Sequence, residues 1–170
     1  SFESPGSYSA FSIPSTWGIR PYIRERSRTI LSNFPDPVPL PRIFVNEIVA
    51  NNESIVTDEM GEFEDYVELY NDEDEPFDLS GMTLSDYAGD PWMWTFPEGT
   101  VIPAKDFLMV WCDGDSTDGP LHASFKLTSE GEGIWLFARE DQDRVLINHM
   151  PFPAIGEDEA YGRFPDGALE

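Results

Sequence analysis

The chain has 170 residues, 40% of them apolar and 14% aromatic, enough for one packed domain of about 100 to 150 residues with material left over. Asp and Glu number 33 against 10 Lys and Arg, a formal net charge of −23. Such a field repels phosphate backbones and anionic lipid surfaces, so neither nucleic acid nor a membrane surface is an expected partner. The 12 Phe, 6 Tyr and 5 Trp also exclude a disordered acidic tail, whose shortage of apolar residues is what denies it a core.

A single cysteine, Cys112, cannot close an intrachain disulfide. No window approaches the roughly 18 consecutive apolar residues of a bilayer span, so membrane insertion is not expected. Ser1 is not an initiator methionine, and the chain reads as an excised or processed piece of something larger.

Charge divides the chain near Arg42. Residues 1–42 carry five arginines against Glu3, Glu25 and Asp36, a net of +2, whereas residues 43–170 carry 5 basic and 30 acidic residues, a net of −25. Within 1–34, Pro21 to Leu31 predicts a short helix, with proline in its first turn and Tyr22, Ile23, Ile30, Leu31 and Phe34 on one face. It reads as the last helix of a preceding region; the sharper alternative is a basic docking helix for an acidic surface. Residues 35–42 follow as a linker, since Pro35, Pro37, Pro39 and Pro41 forbid helix and favour a stiff extended chain.

From residue 43 the period changes to two. Strands are predicted at 42–49, 66–70, 77–84 with an interruption at Ser80-Gly81, 92–96, 107–111, 133–138 and 145–148. Pro97-Glu98-Gly99, Ile102-Pro103-Ala104, Asp113-Gly114-Asp115, Glu130 to Gly133 and the polar run 140–143 separate them. Seven or more short strands without a helix predict an all-β domain, an antiparallel β-sandwich over 43–170.

Six segments in order carry a family resemblance. They are Val45-Asn46-Glu47-Ile48, Asp65 to Asn71, Asp78 to Asp86, Trp94 to Ala104, Leu121 to Leu127, and Tyr161 to Gly167. Together they resemble the lamin-tail domain in its bacterial form, over about 43–167. The resemblance implies an immunoglobulin-like β-sandwich, used in nuclear lamins and as an appended module in bacterial exported and cell-surface proteins. The antibody-type inter-sheet disulfide is absent, and lamin tails do not rely on it. Ile19 to Arg26, within 19–34, is similar to the closing helix of CotH-type, kinase-like spore-coat proteins, but carries no catalytic motif.

Residues that bear chemistry are few. His122 and His149 are the only histidines, neither has a second His at metal-ligand spacing, and His122 lies in a segment the family uses structurally. Cys112 follows an apolar strand and adjoins Asp113 and Asp115, whose charge disfavours a thiolate. Catalytic residues are therefore not expected. Asp113, Asp115 and Asp118 place three carboxylates on a glycine-containing loop suited to a hard cation, which makes calcium the one cofactor the sequence suggests. The loop departs from an EF-hand, with Asp118 at the sixth position and Ser124 at the twelfth. Two further acidic clusters, 58–65 and 72–75, invite the same question, and for all three a solvated, salt-adapted face is the ordinary reading. Asn46 and Glu68 either point outward or form a buried network that pins strand pairing. Trp94 and Trp111 are expected in the core, while Trp92, beside Asp90-Pro91, is either core or an exposed ligand-contact tip.

The expected function is a non-catalytic binding or positioning module of a secreted or cell-surface, bacterial multidomain protein, with a protein or carbohydrate ligand or a neighbouring domain as partner. The alternative is an accessory C-terminal domain of an enzyme with CotH-like kinase chemistry.

Overall fold

The computed structural model describes residues 39–138 and 145–168. The chain divides into two compact units, 1–39 and 40–170, the division falling inside the proline-rich segment. The helix expected over 21–31, the CotH-like segment and the linker residues 35–38 lie outside the described residues.

The described residues of the second unit form ten strands in chain order: β1 (Ile43–Val49), β2 (Tyr66–Asn71), β3 (Phe77–Asp78), β4 (Thr83–Ser85), β5 (Trp94–Thr95), β6 (Val101–Ile102), β7 (Phe107–Trp111), β8 (Glu132–Ala138), β9 (Val145–Phe152) and β10 (Tyr161–Gly162). They form two four-stranded sheets, ordered β10-β1-β2-β7 and β5-β4-β8-β9, and a two-stranded β3-β6 ribbon, with every strand pair antiparallel. The domain is an immunoglobulin-like β-sandwich. No helix occurs among the described residues, and so none that is long and apolar enough to cross a membrane.

Period-two patterning explains the layers. Val45, Ile48, Val67, Leu69 and Val110 of one sheet meet Leu84, Trp94, Ile134, Leu136 and Met150 of the other in one core. Burying each large apolar side chain there stabilises the fold by about 1.5–3 kcal/mol. Trp94 and Trp111 are buried as expected, Trp94 edge-on to Phe96 with ring centroids 4.6 Å apart and Trp111 edge-on to Tyr66 at 5.9 Å.

Several strand limits shift from the sequence reading: the 92–96 strand contracts to Trp94–Thr95, the 77–84 segment splits into Phe77–Asp78 and Thr83–Ser85, and three further departures are set by pairing. β9 runs on to Phe152 through Pro151, which it tolerates because β9 is an edge strand. Val101–Ile102 pairs with Phe77–Asp78 although Ile102 opens a segment read as a breaker. Tyr161–Gly162, unassigned by pattern, pairs with Glu47 and Ile48.

That last pairing rests on a partly buried network that Asn46 anchors. Asn46 is the extra residue of a β-bulge in β1, where Val45 faces Leu69 and Glu47 faces Glu68. Its Nδ2 donates to Glu68 Oε1 and Asp166 Oδ1, each at 3.1 Å, and its Oδ1 accepts the Gly167 N–H at 3.1 Å. Arg163 completes the closure: Nε donates to the Val45 carbonyl at 2.8 Å, one terminal nitrogen donates to the Ala168 carbonyl, and the guanidinium stacks over Phe44. Gly162 is required by close approach, since a Cβ there would lie 2.9 Å from the Asn46 carbonyl oxygen. Burial pushes the Glu68 carboxyl up, with Glu47 and Asp166 adding to it against the opposing Asn46 hydrogen bond.

Candidate functional site

Pairing of β2 with β7 decides what meets at one end of the sandwich. Tyr66 opposes Trp111, and just beyond them the Cys112 N–H donates to the Asp65 carbonyl at 2.7 Å. The chain that enters β2 and the chain that leaves β7 therefore emerge side by side. Two of the three acidic clusters, 58–65 and 113–118, occupy those two segments.

The first segment is braced by Asn52, whose Nδ2 donates to the Val56 carbonyl at 2.7 Å and the Glu64 carbonyl at 2.8 Å, while its Oδ1 accepts from Ile55 N–H at 3.0 Å. At its tip Asp58 folds a tight turn, accepting the Met60 and Glu62 N–H groups on Oδ1 at 2.9 and 2.8 Å; Gly61 sits at φ +85°. Asp58 Oδ2 is buried without a hydrogen-bond partner. The turn projects Glu59 outward.

In the second segment Asp113 accepts the Asp115 N–H on Oδ1 at 2.8 Å, and Asp115 in turn accepts the N–H and hydroxyl of Thr117 at 3.0 and 2.7 Å. The chain then returns along β7, with Trp111 N–H donating to the Leu121 carbonyl at 2.9 Å and Ala123 N–H to the Trp111 carbonyl at 2.7 Å. This return carries the His122 ring into the fold, where it is fully buried. Its Nδ1 lies 2.5 Å from Asp113 Oδ2, and its Nε2 lies 3.3 Å from Glu59 Oε1. Nε2 has no hydrogen-bond partner of good geometry, and the Glu59 carboxylate is the charged group beside it. One ligand atom from each of Asp113, Asp118 and His122 lies within 4.8 Å of the others. Burial alone lowers the proton affinity of the His122 imidazole. The hydrogen bond and charge of Asp113, with Glu59 behind them, outweigh it and leave the pKa above the ordinary histidine value.

The sequence-predicted site residues are thus partly gathered. Asp113 and Asp118 come together, whereas the Asp115 carboxylate is engaged by Thr117. His122 joins them and Glu59 reaches the far side of its ring; residue spacing marks neither as a ligand, since His122 is nine positions from Asp113 and Glu59 belongs to the other loop. The third cluster is held by cations of the protein, Asp72 by Arg42 and Lys105 and Asp74 by Lys105, and the hydrogen bonds from Lys105 and Arg42 hold the Asp72 carboxyl below its usual range. His149 stacks on Trp135, ring centroids 4.6 Å apart. Cys112 is buried, and burial pushes its thiol well up, with Asp65 and Asp113 adding to the effect.

A second exposed feature lies between β4 and β5. Trp92 is 52% exposed and Tyr87 62%, the tip arrangement rather than the core one. The loop is tied down by Ser85 Oγ donating to the Tyr87 carbonyl at 2.8 Å, Thr83 Oγ1 donating to the Pro91 carbonyl at 2.6 Å, and Asp90 Oδ1 accepting the Trp92 N–H at 3.1 Å. The Tyr87 ring lies across Gly89, where a Cβ would come within 2.5 Å of it.

No curated protein and no solved structure matches the chain. The family model described as Lamin Tail Domain matches residues 39–149, spanning β1 to β8 and the first half of β9. That match covers more than half of the chain, and the chain belongs to the lamin tail domain family.

Proposed function

We propose that the domain is a non-catalytic binding or positioning module of a secreted or cell-surface bacterial protein, which meets a protein or carbohydrate ligand through the β4–β5 loop. The observation that carries this reading is the exposed Trp92 on a loop whose backbone is already fixed by three side-chain hydrogen bonds. A large aromatic held in place offers apolar area and stacking at small ordering cost, which is the character of an interface anchor. Cys112 and His122, the residues closest to nucleophile or base chemistry, are both buried, which supports a role other than catalysis. The acidic surface favours ligands that are neutral or basic.

The test is binding of the 170-residue chain to glycan arrays and to purified bacterial surface proteins, with Trp92→Ala in parallel. A ligand bound by the wild type is expected to bind the variant about tenfold or more weakly, with unchanged thermal stability. Equal binding by the variant removes the loop from the interface, and turnover of any substrate by the chain itself overturns the non-catalytic reading.

A further inference from the structure

The environment of His122 Nε2 has an unmet requirement. A carboxylate oxygen at 2.5 Å from Nδ1 calls for the ring proton on Nδ1, donated to Asp113. Unless the ring takes up a second proton, its Nε2 lone pair, fully buried and without a hydrogen-bond partner, faces a carboxylate oxygen 3.3 Å away. Two acceptors facing each other at that distance repel unless a cation stands between or beside them. Asp118 adds another carboxylate within 4.8 Å of the His122–Asp113 pair, and the neighbouring Asp58 Oδ2 is also buried without a partner.

The space is reserved by backbone chemistry. A Cβ at Gly119 would lie 2.5 Å from Glu59 Oε1, 2.8 Å from His122 Cδ2 and 3.2 Å from Nε2, so only glycine leaves the gap between these ligand atoms open. Glu59 is exposed and Asp118 half-buried, which gives an ion a route in from solvent although the imidazole is closed off behind them.

We propose that His122 Nε2, Asp118 and Glu59 form a site for one divalent transition-metal ion of the zinc class, with Asp113 as the carboxylate that orients the imidazole through Nδ1. The carboxylate–histidine–metal arrangement fixes tautomer and ring direction, as Asp113 does here. An imidazole nitrogen with carboxylate oxygens suits zinc and its neighbours, whereas calcium takes six to eight oxygen ligands. The ion would clip the segment before β2 to the segment after β7, a structural role at the end of the sheet where β2 and β7 pair.

The experiment is calorimetric titration of the metal-free 170-residue chain with Zn²⁺ alone at raised NaCl, which suppresses diffuse binding to the acidic surface. A parallel Co²⁺ titration is followed by its absorption spectrum, and the His122 ring nitrogen resonances are followed by NMR. Saturation at one equivalent is expected, with the Nε2 resonance shifted and Nδ1 retaining its proton. Asp118→Asn and Glu59→Gln should each weaken binding by about 10–100-fold, and Gly119→Ala should do the same by filling the gap. Asp118 and Glu59 reach solvent, so their variants report on binding in a folded chain. Absence of saturable one-equivalent binding, undiminished binding by both carboxylate variants, an unmoved Nε2 resonance, or displacement of Zn²⁺ by an equal concentration of Ca²⁺ would each overturn the site.

Discussion

Removing the Arg163 guanidinium tests the closure of the sandwich. Arg163 gives its Nε–H to the Val45 carbonyl at 2.8 Å and a terminal N–H to the Ala168 carbonyl; its contacts with Asn148 Oδ1 at 3.4 Å and the His149 carbonyl at 3.3 Å are long and contribute little. A hydrogen bond from a charged donor contributes about 1.5–3 kcal/mol, and the cation–π contact with Phe44, 5.8 Å from the ring centroid, adds about 0.5 kcal/mol. The side chain is half-buried, so water partly replaces it and the lower end of the range applies. Arg163→Ala should therefore cost about 3 kcal/mol, close to a 10 °C fall in Tm for a domain of this size. Arg163→Lys, whose single ammonium cannot span both carbonyls, should cost about 2 kcal/mol. Urea unfolding and calorimetry measure both, and amide hydrogen exchange should show the β1–β10 pairing opening before the rest of the sheet. A loss below about 1 kcal/mol for Arg163→Ala, or equal exchange across the sheet, would refute the view that this residue locks β10 onto β1.

Gly162→Ala should lower stability by about 1–3 kcal/mol in thermal melts, because its methyl meets the backbone oxygen of Asn46 at 2.9 Å and one of the two must move. Glu68 holds its proton more tightly when folded than its ordinary value of 4.5, so its contribution to stability falls as pH rises from that value through the folded one and is flat above. Glu68→Gln should match the wild type below about pH 4 and exceed it at about pH 7, as urea midpoints at the two pH values will show. Cys112 should remain unlabelled by a thiol reagent in the folded chain and react fully once urea unfolds it.

The long, strictly patterned strands were legible because each carries its own burial signal. Phe107–Trp111 is a predicted strand with its limits unchanged, and 66–70 and 133–138 each gain one residue. What pattern could not supply were elements defined by partners distant in sequence. Two residues such as Val101–Ile102 or Tyr161–Gly162 have no period of their own, and each is a strand only because Phe77–Asp78 or the Asn46 bulge presents a ladder to it. Likewise Asn46 and Glu68 alternate as a polar pair would on a solvent face. The bulge and the returning 163–168 segment cover Asn46 fully and Glu68 in part, with Asp166 at the exposed edge of the network.

The candidate site was legible by its parts and not by its assembly, for a reason set by topology. A run of carboxylates reads the same whether it faces water or another loop, and nothing within 113–122 indicates that Glu59, more than fifty residues earlier, will reach His122. The Tyr66–Trp111 pairing brings them together. It aligns the entrance of one strand with the exit of another, so two acidic segments concentrate negative charge around one buried imidazole. Repulsion between those loops opposes the β2–β7 pairing that juxtaposes them, and a cation at His122 removes the repulsion where it is largest. If that cation is a bound metal, its removal should loosen the 58–65 and 113–122 segments ahead of the sandwich core; if it is only the histidine's own proton, chelation will change nothing.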